Sequence, residues 1–201
     1  GYIRRNELTD FGNVQSNGKI AMKFEGEDAD DRMIAAAVCS PEDDILLATR
    51  GGRTIRFAVE DVRVFASRNS VGVRGVKLLK DDHVISLSIL KHVEASADIR
   101  AAYLSEAARR RRAPDEEAET EAPDDEEGTS AASLSEDQFD DLNRREEFLL
   151  SITEKGFGVR SSAYDYRITG RGGQGIVNMR LEKRQDAMVG VFPAGPRDQI
   201  I

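Results

Sequence analysis

The strongest constraint on this chain is that it holds one pattern three times. With Gly1, Gly52 and Gly156 as origins, an arginine lies four positions on in every copy: Arg5, Arg56 and Arg160. Leu8, Val59 and Ala163 lie seven on, Asp10, Asp61 and Asp165 nine on, and Phe11, Val62 and Tyr166 ten on. Asp31, Asp82 and Asp186 lie thirty on, each just before an apolar run. Glycine-closed basic loops complete the register, aligned as Gly18-Lys19-Ile20, Arg74-Gly75-Val76 and Gln174-Gly175-Ile176. The first two origins are 51 residues apart and the next two 104. That is one period plus an insertion of about 55 residues. A period near 50 belongs to solenoids and propellers rather than to one irregular core.

The runs within each copy are short, alternating and β-branched, as at 54–59, 84–89 and 176–181. Glycine, Asn and Asp turns separate them, which predicts strands. Four short strands per copy fit a propeller blade, so the expected class is all-β.

Residues 91–145 break the pattern. Residues 91–112 are alanine-rich, with Ile99, Tyr103 and Ala107 at helical spacing. Ser133 with Glu136, and Ser135 with Gln138, are overlapping capping-box candidates. Phe139, Leu142 and Leu149 continue a helical stripe into the next strand. Residues 113–130 are acidic, contain proline and have almost no large apolar side chain, which predicts disorder. The expectation is a helical hairpin with an acidic tip, set into two repeats over 1–90 and a third over 146–201 with the start of the next. The chain opens without Met inside a repeat, and Asp198-Gln199-Ile200-Ile201 resembles Asp44-Ile45-Leu46-Leu47. We therefore expect one partial domain from a longer protein.

Charge divides between these parts. The formal net charge is -8. The insert holds 8 basic and 16 acidic residues, leaving 29 - 8 = 21 basic and 37 - 16 = 21 acidic residues in the repeats. In the repeats the cations concentrate in the first strand of each copy and its following loop, which predicts a basic edge on each blade. The candidate phosphate contacts are Arg4, Arg5, Lys19, Arg53, Arg56, Arg68, Arg74, Lys77, Arg160, Arg167, Arg171 and Arg180. Arginines beside glycine-exposed backbone N–H groups position DNA without reading its sequence.

Other motifs point away from catalysis. Gly170-Arg171-Gly172-Gly173-Gln174-Gly175 matches G-x-G-x-x-G, but an alternating run follows it and position 195 is Gly. A dinucleotide site needs a helix there and an acid about 20 residues on, so the match reads as a β-turn loop. Arg109 to Arg112 abut Asp115-Glu116-Glu117, which predicts local neutralisation. His83 and His92 have no partners at metal spacing, and no nucleophile, base and acid stand together. One cysteine, Cys39, excludes an internal disulfide framework; at the end of an apolar run it is expected to be buried. No apolar run approaches 18 residues, and no signal-peptide pattern opens the chain.

The repeat resembles the C-terminal domain of the bacterial DNA gyrase A protein. The resemblance rests on residues 1–11, 69–78 (above all Val71-Gly72-Val73-Arg74-Gly75-Val76), 155–160, 170–176 and 198–201. The insert is similar to the one in gyrase A of some alphaproteobacteria. The resemblance implies a β-pinwheel, a propeller whose neighbouring blades exchange strands, with a basic rim that wraps duplex DNA. The family's Gln-Arg-Arg-Gly-Gly-Lys-Gly box is absent; residues 170–175 resemble a degenerate copy, with Gln174 where the box has lysine.

The resemblance further implies nonspecific DNA binding in support of ATP-dependent negative supercoiling by a type II topoisomerase. It places the chain in an A2B2 enzyme with a second gyrase A and two copies of gyrase B, cytoplasmic and at the nucleoid, with no membrane. No cofactor is expected in this segment, with ATP and Mg²⁺ on the gyrase B partner. The cleavage tyrosine lies in another domain, so Tyr2, Tyr103, Tyr164 and Tyr166 have no such role. The other readings are the related C-terminal domain of topoisomerase IV and a propeller that binds proteins rather than DNA.

Overall fold

The computed structural model describes residues 1–12, 16–24, 29–67, 71–112, 134–181 and 185–200. The chain divides into two units, Gly1–His92 with Glu147–Ile201, and Val93–Glu146.

The larger unit is built from strands β1 (Tyr2–Ile3), β2 (Asp43–Thr49), β3 (Arg53–Ala58), β4 (Val73–Arg74), β5 (Val84–Lys91), β6 (Phe148–Thr153), β7 (Gly158–Ser162), β8 (Ile176–Val177) and β9 (Met188–Pro193). They form three antiparallel groups, ordered β1-β4, β5-β2-β3-β8 and β7-β6-β9. All seven residues of β2 are buried. Its alternate side chains enter two cores, as expected of a strand covered on both faces. Ile45 and Leu47 pack with Ile3, Ile55, Phe57, Val59, Val62 and Val76. Leu46 and Ala48 pack with Leu90 of β5 and with Leu149, Tyr166, Met188 and Val191 of the third repeat.

Neighbouring repeats exchange strands. β4, from the second repeat, pairs with β1 at Tyr2↔Arg74 and Ile3↔Val73. β8, from the third, pairs with β3 at Arg53↔Val177 and Thr54↔Ile176. A parallel bridge then follows in each case, Arg5↔Val64 and Arg56↔Ile168. This exchange corrects two expectations. Four strands are not intrinsic to each copy: among the described residues only the middle sheet has four, and its fourth is lent by the next repeat. The loop alignment also shifts. Gly72-Val73 and Gly175-Ile176 are equivalent, so Arg74 matches Val177 rather than Gln174.

The register has local causes. A single 3₁₀ turn starts at Leu8, Val59 and Ala163 in the three copies. Asp82 Oδ1 accepts the N–H groups of Gly51 and His83, and Asp186 Oδ1 accepts those of Lys155 and Ala187. Each recurring aspartate thus closes the hairpin turn that holds Gly52 or Gly156. The alternating run at 176–181 forms a ladder only over Ile176–Val177; beyond it, Asn178 and Met179 donate to the Gly52 carbonyl. Cys39 is half-buried rather than buried, packed against the core that holds Ile45.

The smaller unit holds helices α1 (Ala97–Arg111) and α2 (Glu136–Arg145). Ser96 caps α1, and Ser135 with Gln138 forms a full capping box on α2. Tyr103 and Ala107 of α1, and Phe139 and Leu142 of α2, are buried, with the Tyr103 and Phe139 rings 5.1 Å apart. Hydrogen bonds from Arg109 and Arg110 lower the pKa of the Glu106 carboxyl to about 2. Arg110 also reaches Glu136 at 2.9 Å, and Arg111 pairs with Glu146. Arg109, Arg110 and Arg111 of the basic run are therefore neutralised within the helices. Ser133, the acids Asp115, Glu116 and Glu117, and the segment expected to be disordered lie outside the described residues.

Candidate nucleic-acid interface

Glycine fixes the centre of the cationic surface. The loop at 170–175 crosses from the third repeat onto the second. Gly172 N donates to the Gly75 carbonyl at 2.6 Å, and Lys77 N donates to the Gly173 carbonyl at 2.8 Å. Gly172 has φ +82°, open to glycine without strain, and lies close to the Arg74 side chain.

Cations from several segments meet at this loop. Arg171 Nε donates to the Asp61 carbonyl at 2.8 Å and its Nη1 to the Arg74 carbonyl at 3.0 Å. Arg53 Nε and Nη2 donate to the carbonyls of Gln174 and Gly175 at 2.9 and 3.0 Å. Arg167 lines a shallow hollow with Gly170, Gly173 and Gln174. Arg74, Lys77, Arg167 and Arg171 are all exposed. Among the described residues, the side chains of Arg74, Lys77 and Arg167 have neither a hydrogen bond nor an acid partner. Such cations, beside a glycine loop, suit phosphate oxygens.

The remaining candidates scatter. Lys19 is exposed, its Nζ donating to the Asp10 carbonyl at 3.0 Å. Arg180 is exposed. Arg160 is exposed and stacks 3.7 Å above the Phe148 ring. Arg4 is half-buried, bonded to Asn6 and the Ser67 carbonyl and lying over Phe65. Arg5 is half-buried, with Nε wholly buried. Arg68 lies outside the described residues.

Arg56 requires a correction. It is 3% exposed, and its guanidinium sits 2.8 Å from the fully buried Asp44 carboxylate. Its other donors reach the carbonyls of Ala163 and Lys91 at 2.7 and 3.2 Å. A charge so enclosed has no face left for DNA. Its register recurs for another reason: the backbone of this arginine receives the next repeat. Phe65 N donates to the Arg5 carbonyl at 2.8 Å, and Thr169 N to the Arg56 carbonyl at 2.9 Å. Arg63 joins the surface set instead. It is exposed and lies 4.2 Å over Phe65, and the alternation Arg63-x-Phe65 was the sequence signal for it.

Among the described residues no cluster of three or more metal-ligating side chains occurs, and no helix is long and apolar enough to cross a membrane. The G-x-G-x-x-G loop leads into β8 rather than a helix.

The profile described as "DNA gyrase C-terminal domain, beta-propeller" matches residues 1–40, 43–91 and 147–194, passing over the helical unit. Among curated relatives, the chain is 52% identical over 210 residues to the DNA gyrase A protein of Granulibacter bethesdensis, and 44% identical over 201 residues to that of Rickettsia bellii. The whole chain aligns in both cases, against 22% and 21% of those proteins, so it spans about a fifth of their length. A solved DNA gyrase A C-terminal domain superposes with TM-score 0.39 at 17% identity, over 96% of this chain and 62% of that one. The C-terminal domain of a DNA topoisomerase IV superposes with TM-score 0.46 at 15% identity, over 77% and 32%.

Proposed function

The chain belongs to the family of DNA gyrase C-terminal domains, which are β-propellers, and on that premise we propose that it binds duplex DNA without sequence preference and bends it along its exposed cations. The observation that carries the reading is the junction where Arg74, Lys77, Arg167 and Arg171 surround one glycine loop. Four exposed cations bridging two repeats supply the charge-assisted contacts that phosphates accept. Arg160, Arg180, Lys19 and Arg63 extend the cationic surface over the three repeats.

Within a longer gyrase A protein, the bent DNA is presented to a cleavage site elsewhere. The type II topoisomerase would then be an A2B2 assembly that introduces negative supercoils in the cytoplasm. ATP and Mg²⁺ would act on gyrase B, while this chain supplies only binding and curvature. Bending a 20–30 bp site by 40–90° costs roughly 1–6 kcal/mol, so several weak contacts must act together.

The test is titration of the chain with a fluorescent duplex at several salt concentrations and with two unrelated sequences. Equal affinity for both, with log K falling by about 0.9 per phosphate neutralised for every unit of log salt, is expected. Salt-independent or absent binding sinks the reading and favours a propeller that binds proteins.

A further inference from the structure

Arg56 is the one buried member of the recurring arginines. It is also the one whose side chain joins two repeats. Nε donates to Asp44 Oδ2 at 3.0 Å, within the hairpin of β2 and β3. Nη1 donates to the Ala163 carbonyl in the third repeat, and Nη2 to the Lys91 carbonyl at the end of β5. Asp44 is itself fixed on its second oxygen by His92 Nδ1 at 2.9 Å. The Arg56 backbone carbonyl accepts from both Thr169 N and Thr169 Oγ1. Side chain and backbone therefore grip the third repeat at two places, Ala163 and Thr169.

The contrast between copies sharpens this. Arg160 holds the same register, but Phe148 replaces the acid: Asp44 pairs across the ladder with Ala58, and Phe148 with the equivalent Ser162. Arg160 accordingly stacks on a ring and stays exposed. Of these two copies, the arginine turns inward in the one with an acid two residues before its ladder partner on the neighbouring strand, Asp44 before Leu46. A planar guanidinium with fixed donor directions defines an angle as well as a distance, which a flexible apolar contact does not.

We propose that the Asp44–Arg56 pair is a positioning clasp that sets the angle between the second and third repeats, and hence the curvature of the cations they carry. It acts on DNA bending without touching DNA. This rests on the DNA-bending reading above. Arg53, at the start of the same strand, holds the Gln174 and Gly175 carbonyls of the glycine loop, and Arg171, within that loop, reaches back to the Asp61 and Arg74 carbonyls of the second repeat. A change of angle therefore displaces the surface cations relative to one another.

The test uses the whole chain with Cys39→Ser and spin labels at exposed Glu60 and Val189, one in each repeat. Two variants are compared with it. Asp44→Leu with Arg56→Met fills the site without charge, a replacement that buried pairs often tolerate. Arg56→Lys keeps the charge but lacks the fork that reaches two carbonyls. In both, the label distance distribution is expected to broaden. The salt slope of duplex binding is expected to stay unchanged, while the linking-number shift per bound protein is lost or reduced. A distribution and a linking shift like those of the parent chain overturn the proposal and leave a core ion pair. A slope shallower by about one unit also overturns it, since Arg56 would then contact a phosphate. If the parent chain shows no salt-dependent binding, the reading of function fails, and the label distances alone decide whether the clasp sets the angle. Should the double variant not fold, Arg56→Lys carries the same comparison.

Discussion

Gly175 lies so close against Thr54 that a Cβ built on it would overlap the Thr54 carbonyl oxygen, and Gly72 stands in the same relation to Ile3. Both have positive φ, +69° and +96°. These glycines open the exchanged strands β8 and β4, where one repeat's backbone must touch the next. Gly175→Ala and Gly72→Ala are each expected to destabilise the larger unit by about 2–4 kcal/mol, through backbone strain plus a forced shift of the ladder. Gly156 also has positive φ, +82°, but open space around it. Gly156→Ala should cost only about 1–2 kcal/mol. Urea unfolding midpoints measure all three, and equal losses would show that strand exchange adds nothing to glycine's conformational role.

Arg74→Ala and Lys77→Ala remove exposed cations whose side chains hold nothing else in place. Each should weaken binding to unrelated duplexes alike and make the slope of log K against log salt shallower by about one unit. Thermal midpoints should not move. Sequence-dependent losses would show that these side chains read bases.

Asp43 and Glu147 carry opposite pH signatures. The Lys91 ammonium, hydrogen-bonded at 2.8 Å, holds the Asp43 carboxyl below its ordinary 3.8; burial opposes this and the Ser40 N–H assists. A depressed carboxylate contributes stability that is present above its unfolded value and is lost as pH falls through its folded value. The melting temperature should therefore drop below about pH 4, and Asp43→Asn should flatten that limb. Burial pushes the Glu147 carboxyl up from 4.5, against the Lys91 N–H that it accepts. Its ionisation costs stability as pH rises through that range. Glu147→Gln, which can still accept from Lys91, should raise the midpoint at neutral pH relative to pH 4. Parallel melting profiles for wild type and both variants would contradict these assignments.

The helical unit is expected to be separable. Lys91 N donates to the Glu147 carboxylate at 2.7 Å, so the two strands flanking the unit already meet. Replacing residues 93–146 with a short Gly/Ser linker should preserve cooperative unfolding and the β signal in circular dichroism, because loop closure varies slowly with length. The excised segment carries more acids than bases. Its removal should tighten duplex binding at low salt and make little difference at high salt. Loss of cooperativity would make the unit part of the fold, and unchanged affinity at low salt would make its charge irrelevant.

The order of residues was enough to reveal the repeat, its strand-rich class and the places where every copy faces the same local task. Gly52 and Gly156 turn hairpins, Asp82 and Asp186 close those turns, and Val59 and Ala163 start one-turn helices. These are short-range needs, so the same residue answers them at the same offset. Ser135 and Gln138 were legible for that reason too, since a capping box spans four residues. Which cations face solvent became visible only in the folded chain. Arg5, Arg56 and Arg160 share one offset yet are half-buried, buried and exposed. What separates the last two is the residue diagonally across on the neighbouring strand, Asp44 or Phe148, and whether a carbonyl of the next repeat lies within reach. The family resemblance implied exchanged strands, but which segments exchange was equally hidden. Two-residue strands such as β4 and β8 carry too little alternation to show a register, and which glycine opens them follows from a backbone contact distant in the chain, Ile3 for Gly72 and Thr54 for Gly175. Local chemistry repeats with the sequence, whereas burial and charge pairing depend on what the chain brings back across it.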